Sequence, residues 1–226
     1  MEDLSLHVLD IAENSIAAEA QHVEIRVLES QREDRLSIEI SDDGCGMSAD
    51  QVQKATDPFV TTRTTRRVGL GLSLFEQAAK RAGGEFKIAS SSGAGTKVTG
   101  VFQYRHVDRQ PLGDMDRTLL ALVVGNPQTE FTYLHQTDDS QVSFNTGEIK
   151  AQLGDLPINS PQGISAVRKS LEKVGEQVES LRSHHEESIE LAGGQPPHPR
   201  PSPPRGRGEA PSELYPPRPL GGEGRG

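Results

Sequence analysis

Two hydrophobic periods alternate along the first hundred residues. Leu4, Val8, Ile11 and Ile16 fall at helical spacing and predict a helix over 4–18. Val23 to Leu28 and Leu36 to Ile40 alternate apolar with polar residues, as strands with one covered face do. Ser48 is suited to cap a short helix over 49–56. Leu70 to Ala82 reads as an amphipathic helix stopped by Gly83-Gly84, and Glu85 to Ala89 pairs with Thr96 to Phe102 around the Ser91–Gly95 turn. This order predicts an α+β fold, a two-layer sandwich with helices on one sheet face. Past Tyr104 the same reading gives a helix over 114–124, a hairpin of Glu130 to His135 with Gln141 to Asn145, and a helix from Thr146. Together these make a small α+β appendage over 106–160.

A last periodic run follows in a helix over 161–190. Ile164, Val167, Leu171, Val174, Val178 and Leu181 recur every three or four residues, as in a short heptad seam. Gly175 costs such a helix about 1 kcal/mol. A helix packed on its own domain and a helix that makes a homodimer both fit this pattern.

Composition changes the picture mainly at the C-terminus. Only 33% of the 226 residues are hydrophobic and 4% aromatic. Ten of the fifteen prolines lie in residues 191–226, with almost no aliphatic side chain among them. Such a segment cannot bury enough apolar surface to offset its ordering entropy, so a disordered tail is expected. The net charge of −9 argues against a nucleic-acid partner. The single cysteine, Cys45, excludes an internal disulfide and any multi-cysteine metal site. No apolar run approaches the ~20 residues of a membrane span, and no basic-then-apolar leader opens the sequence. A soluble, cytoplasmic protein without membrane contact is the expectation.

The candidate chemistry lies in five short motifs. They are Asp10-x-x-x-Asn14, Asp42-Asp43-Gly44-Cys45-Gly46-Met47, Asp57-Pro58-Phe59-Val60-Thr61-Thr62-Arg63, Gly69-Leu70-Gly71-Leu72 and Gly93-Ala94-Gly95-Thr96. Asp10 and Asn14 are one helical turn apart and project from one face, with His7 beside them. The glycines around Asp42 permit a tight turn and a close backbone approach to a flat group. Gly69 to Leu72 opens a helix, where free amides and glycines form an anion cradle. The lid between Phe59 and Gly69 carries Arg63, Arg66 and several hydroxyls suited to phosphate.

In this order and at this compact spacing, the motifs resemble the ATP-binding domain of the GHKL superfamily, which includes gyrase-type topoisomerases, heat-shock chaperones, histidine kinases and mismatch-repair ATPases. The resemblance covers residues 1–105 and implies ATP and Mg2+ as cofactors. It gives Asn14 the metal, Asp10 the general-base position and Asp42 the adenine amino group. It makes Met47 a wall of the adenine pocket, with Gly44 and Gly46 shaping the turn. It gives Gly69, Leu70, Gly71 and Leu72 the triphosphate, Arg63 and Arg66 phosphate contacts, and Thr96 the support of the base-reading aspartate. Asp43 is expected to be an exposed neighbour, and His7 a packing histidine rather than a phosphoacceptor.

The lid and the glycine helix look like those of sensor histidine kinases, whereas Asp10 to Ile16 looks like the mismatch-repair and gyrase branch. Histidine kinases usually carry asparagine at the base position; the carboxylate of Asp10 suits activation of a hydroxyl or water. No dimerisation-and-phosphoacceptor helix pair precedes the ATP motifs, and His185-Glu186 lacks the usual following proline. The expected function is therefore transfer of a γ-phosphoryl group to an unidentified partner protein, on histidine or serine. The alternative is an ATP-dependent switch that regulates its partner by binding and slow hydrolysis.

Overall fold

The structure is a computed structural model describing residues 3–55 and 70–191; side chains are described for 3–55 and 71–180. The chain divides into two units, Met1–Gly194 and Gln195–Gly226, and the second lies wholly outside the described residues. The tail expected to be disordered therefore falls outside the description, as does the lid.

Among the described residues twelve elements follow in chain order: α1 (Leu4–Ala17), β1 (His22–Ser30), β2 (Arg35–Asp42), α2 (Ala49–Lys54), α3 (Leu70–Arg81), β3 (Glu85–Ser90), β4 (Thr96–Gln103), α4 (Met115–Gly125), β5 (Glu130–Gln136), β6 (Gln141–Asn145), α5 (Thr146–Leu153) and α6 (Pro161–Leu191). The strands form one mixed six-stranded sheet in the order β3-β4-β2-β1-β5-β6. Every neighbouring pair is antiparallel except β1 with β5. The residues beyond Tyr104 thus add two strands to the sheet of the first hundred residues and share its core.

Strand alternation sets which face is covered. Val23, Ile25 and Val27 of β1, Leu36, Ile38 and Ile40 of β2, and Phe131 and Tyr133 of β5 are buried, while the residues between them are more open. Helices cover the buried face: α1 packs on α3 and α4, and α4 packs on α6. The ring of Phe75 from α3 occupies the space beside Gly100 of β4, where an added Cβ would lie 2.5 Å from its Cζ. This glycine lets α3 approach the sheet.

One polar network joins the added strand β5 to β1. Buried His135 of β5 lies between the Tyr133 hydroxyl, 2.7 Å from Nδ1, and Glu29 of β1, whose Oε1 is 3.0 Å from Nε2. The Tyr104 hydroxyl donates to the other oxygen of Glu29 at 3.3 Å. Such a connected network holds one strand pairing where an unpaired buried charge would be costly.

The periodic run in α6 meets its own chain. Val167, Leu171, Val174 and Val178 are buried, and α6 packs on α4, α5 and β6. The side chain of Leu181 lies outside the description, as does that of His185. Gly175 has a local reason: an added Cβ would lie 2.6 Å from Asp116 Oδ2 of α4. Among the described residues no helix is long and apolar enough to cross a membrane.

Candidate functional site

The site is built from the end of α1, the end of β2 and the start of β4. Leu36, Ile38 and Ile40 point to the helix layer, so a period of two carries the side chain of Asp42 to the same side. In β4 the same alternation brings Thr96 to that side, directly opposite Asp42. On α1 the buried stripe Leu4, Val8, Ile11 and Ala12 continues to Ser15. Ser15 therefore meets Asp42: its hydroxyl donates to Asp42 Oδ2 at 2.6 Å. The other carboxylate oxygen, Oδ1, accepts from the backbone amides of Gly44 at 3.0 Å and Thr96 at 3.2 Å.

Three donors from three segments thus orient Asp42. Thr96 contributes through its main chain, while its hydroxyl lies 2.9 Å from the Ser90 hydroxyl. Ser90 in turn accepts the amide of Met47 at 2.8 Å and donates to the Gly95 carbonyl. Met47 is consequently held against the β3–β4 turn with its side chain half-buried.

The glycines of the turn are demanded by the chain itself. Gly46 has φ +63°, and an added Cβ would stand 2.0 Å from the Ser91 carbonyl oxygen. At Gly44 it would stand 2.7 Å from the Ala18 carbonyl oxygen. Both positions pack the turn onto neighbouring loops.

Asn14 and Asp10 occupy the next face of α1. Asn14 is half-buried, and its carboxamide makes no hydrogen bond among the described residues. Asp10 is exposed. Gly71 of α3 faces it: an added Cβ at Gly71 would lie 3.0 Å from Asp10 Cβ and 3.5 Å from its Oδ2. The structure thus brings Asp10 of α1 against Gly71 of α3, with Asn14 and Leu72 next along the same two helices, and brings Asp42, Gly44, Gly46, Met47 and Thr96 together at the strand ends. Arg63, Arg66 and Gly69 lie outside the described residues, and of Leu70 only the backbone is described. His7 is buried, with its Nε2 3.2 Å from Gln110 Oε1 and its ring centroid 5.9 Å from that of Phe75.

Asp43 is exposed, as expected, and it also ties the turn to the start of β1. Its Oδ1 accepts from the amides of Gln21 and His22 at 2.8 and 2.9 Å, and its Oδ2 is 2.8 Å from His22 Nδ1. Burial alone would raise its pKa; the amide and imidazole of His22, with the amide of Gln21, outweigh it and hold the carboxyl below the usual range. The hydrogen bond to Asp43 in turn raises the His22 imidazole above its ordinary 6.5, with Glu130 adding to the effect against partial burial.

Sequence reasoning missed Ser15 and His22. A serine continuing an apolar helical stripe was a readable sign for Ser15. His22 has no such sign, because both its partners arrive through tertiary folding.

Residues 2–106 match the family of histidine kinase-, DNA gyrase B- and HSP90-like ATPases. Over 92 residues the chain is 33% identical to the sensor histidine kinase ZraS of Escherichia coli O157:H7, covering 41% of this chain and 20% of that protein. Over 103 residues it is 31% identical to a putative sensor protein of Shewanella frigidimarina, covering 45% and 16% respectively. The Aquifex aeolicus MutL ATPase domain complexed with ADP is a structural neighbour, with TM-score 0.41 and 17% identity over 64% of this chain and 63% of that one. The chain spans about a fifth or less of the length of these curated relatives.

Proposed function

We propose that this chain, whose residues 2–106 match the histidine kinase-, DNA gyrase B- and HSP90-like ATPase family, binds Mg-ATP and delivers its γ-phosphoryl group to a partner protein. One observation carries the binding half of this reading. A single helix, α1, holds the base-reading Asp42 through Ser15, sets Asp10 against Gly71 of α3 and carries Asn14 one turn further along.

Within this reading Asp42 accepts the exocyclic amino group of adenine, its geometry already set by Ser15, Gly44 and Thr96. Preset acceptors lose little freedom on binding and favour adenine over guanine, which offers a carbonyl there. Asn14 fits the metal because a half-buried carboxamide oxygen without a hydrogen-bond partner among the described residues is a hard ligand suited to a hard cation. Mg2+ held there supplies neutralisation of phosphate charge. Leu70 to Leu72 offers the free amides of a helix start to the phosphates. Asp10, exposed and beside Gly71, orients or deprotonates an incoming hydroxyl or water.

The likeness to sensor histidine kinases favours a protein acceptor. The carboxylate at Asp10 favours a second reading, in which water is the acceptor and the chain is an ATP-dependent switch. Incubation with γ-labelled ATP and co-purified partners separates them. Label in a partner band supports transfer; acid-stable label marks serine and acid-labile label marks histidine. Free phosphate without a labelled band, abolished by Asp10→Asn with ATP binding retained, supports the switch.

A further inference from the structure

We propose that His22 is a positioning residue for the nucleotide: standing between Asp43 and Glu130, it ties the turn that carries Asp42 to the added strand β5. The inference rests on Asp42 as base reader.

The α1–β1 connection is held from two sides. On one side the Cys45 amide donates to the Ala18 carbonyl at 2.9 Å, and Asp43 accepts the amides of Gln21 and His22. On the other, the Glu130 amide donates to the Gln21 carbonyl at 2.7 Å, and the Thr129 hydroxyl donates to the Ala20 carbonyl at 3.5 Å. His22 joins the two sides through its side chain. Its Nδ1 lies 2.8 Å from Asp43 Oδ2, and its Nε2 lies 3.3 Å from Glu130 Oε2.

An imidazole between two carboxylates keeps a hydrogen bond to Asp43 and an ion pair with Glu130 together only when both ring nitrogens carry protons. Asp43 and Glu130 are the charged groups that face it, so the bridge is complete in the imidazolium and loses one arm on deprotonation. The His22 side chain is 64% exposed, so this bridge does not serve the hydrophobic core. Its structural consequence falls on the turn that begins at Asp42. Residues beyond Tyr104 then act on the ATP site by bracing the α1–β1 connection through β5.

The test measures Mg-ATP affinity by calorimetry from acid to alkaline pH for the full chain and for His22→Gln and His22→Arg. Comparing variants at each pH removes the titration of ATP itself. Amide-exchange protection at residues 44–47, corrected for intrinsic rates, is followed without nucleotide. The expected result is an affinity that weakens about two- to fivefold as His22 loses its proton, the scale of a partly exposed ion pair. His22→Gln is expected to stay at the weak level at every pH. His22→Arg, always charged, is expected to keep the tight level in alkali. Turn protection is expected to follow the same pattern.

Identical affinity profiles for the three proteins overturn the inference, as does a change in turn protection without a change in affinity. Absence of ATP binding by the unsubstituted chain at every pH overturns the ATP reading, and the nucleotide role of His22 with it. In that case a surviving pH-linked protection difference identifies a bridge that is structural alone.

Discussion

The two ends of the proposed nucleotide site are built on opposite terms. At the base end, Asp42 is engaged by Ser15, Gly44 and Thr96, and its turn is packed so closely that Gly46 has no room for a side chain. At the metal end, Asn14 of the same helix is half-buried with its carboxamide unbonded among the described residues. A reader of a planar base gains from a fixed acceptor, because specificity depends on leaving the wrong partner unpaired. A ligand to a cation must keep its oxygen available. The difference teaches that one helix can serve both needs when one face joins the core and the next is left open.

Substitutions should separate the two ends, and the largest effect falls at the base end. Asp42→Ala removes the acceptor for three donors, leaving the Gly44 and Thr96 amides without their partner. It is expected to weaken ATP binding about a hundredfold and to lower folding stability by about 2 kcal/mol. Calorimetric titration and thermal unfolding would read both losses. A loss of affinity with unchanged stability would show that the contacts of Asp42 do not hold its turn.

At the metal end the two readouts should part. Asn14→Ala removes no internal hydrogen bond described for its side chain, so stability should change by less than about 0.5 kcal/mol. Affinity for Mg-ATP should fall by at least about tenfold, and affinity for ATP in chelator by much less. A large drop in melting temperature for this variant would erase the contrast between the ends.

How much of this was readable beforehand depends on the range of the interaction. The boundaries of β1, β2, α3 and β4 follow from period and from stops such as Gly83-Gly84, because those signals are local. The motif spacing pointed to Asp42 and Asn14 without showing what holds them. The parallel pairing of β5 with β1 was not readable, since alternation specifies a covered face and not a neighbour. Asp43 is the exposed neighbour the sequence suggested, but its partners, Gln21 and His22, were not readable because they meet it only after the turn folds back. The seam of α6 had two readings in the sequence, and Val167, Leu171, Val174 and Val178 are covered by the chain itself.

Acidity and alkalinity probe the brace behind the base end with a smaller effect. The lowered pKa of Asp43 contributes stability above the ordinary carboxylate value of 3.8, lost as pH falls through the lowered value. The raised pKa of His22 contributes stability below 6.5, lost as pH rises through the raised value. Both contributions are fully present between 3.8 and 6.5. With both side chains partly exposed, solvent screening holds the sum to about 0.5 kcal/mol. Urea unfolding of Asp43→Asn across that range should show its largest deficit there and almost none in strong acid.

The smallest expected change lies beside the same connection and should leave both ends untouched. Glu19 follows α1 with φ +62°, while the Glu19 amide donates to Ile16 and the Ala20 amide to Ser15, a helix stop that favours glycine. Glu19→Gly should raise stability by about 0.5 kcal/mol by relieving the left-handed backbone. ATP affinity should not change, and a loss of affinity would make the left-handed residue part of the site.

The most direct measurement is a paired calorimetric titration of Asn14→Ala and the unsubstituted chain with ATP and GTP, each with Mg2+ and with chelator. The account predicts that the unsubstituted chain prefers ATP over GTP and binds ATP more tightly with Mg2+. In Asn14→Ala the Mg2+ gain should disappear while the ATP preference survives through Asp42. Retention of the full Mg2+ gain in Asn14→Ala would contradict the assignment of the metal to this helix and the division of the site into two ends.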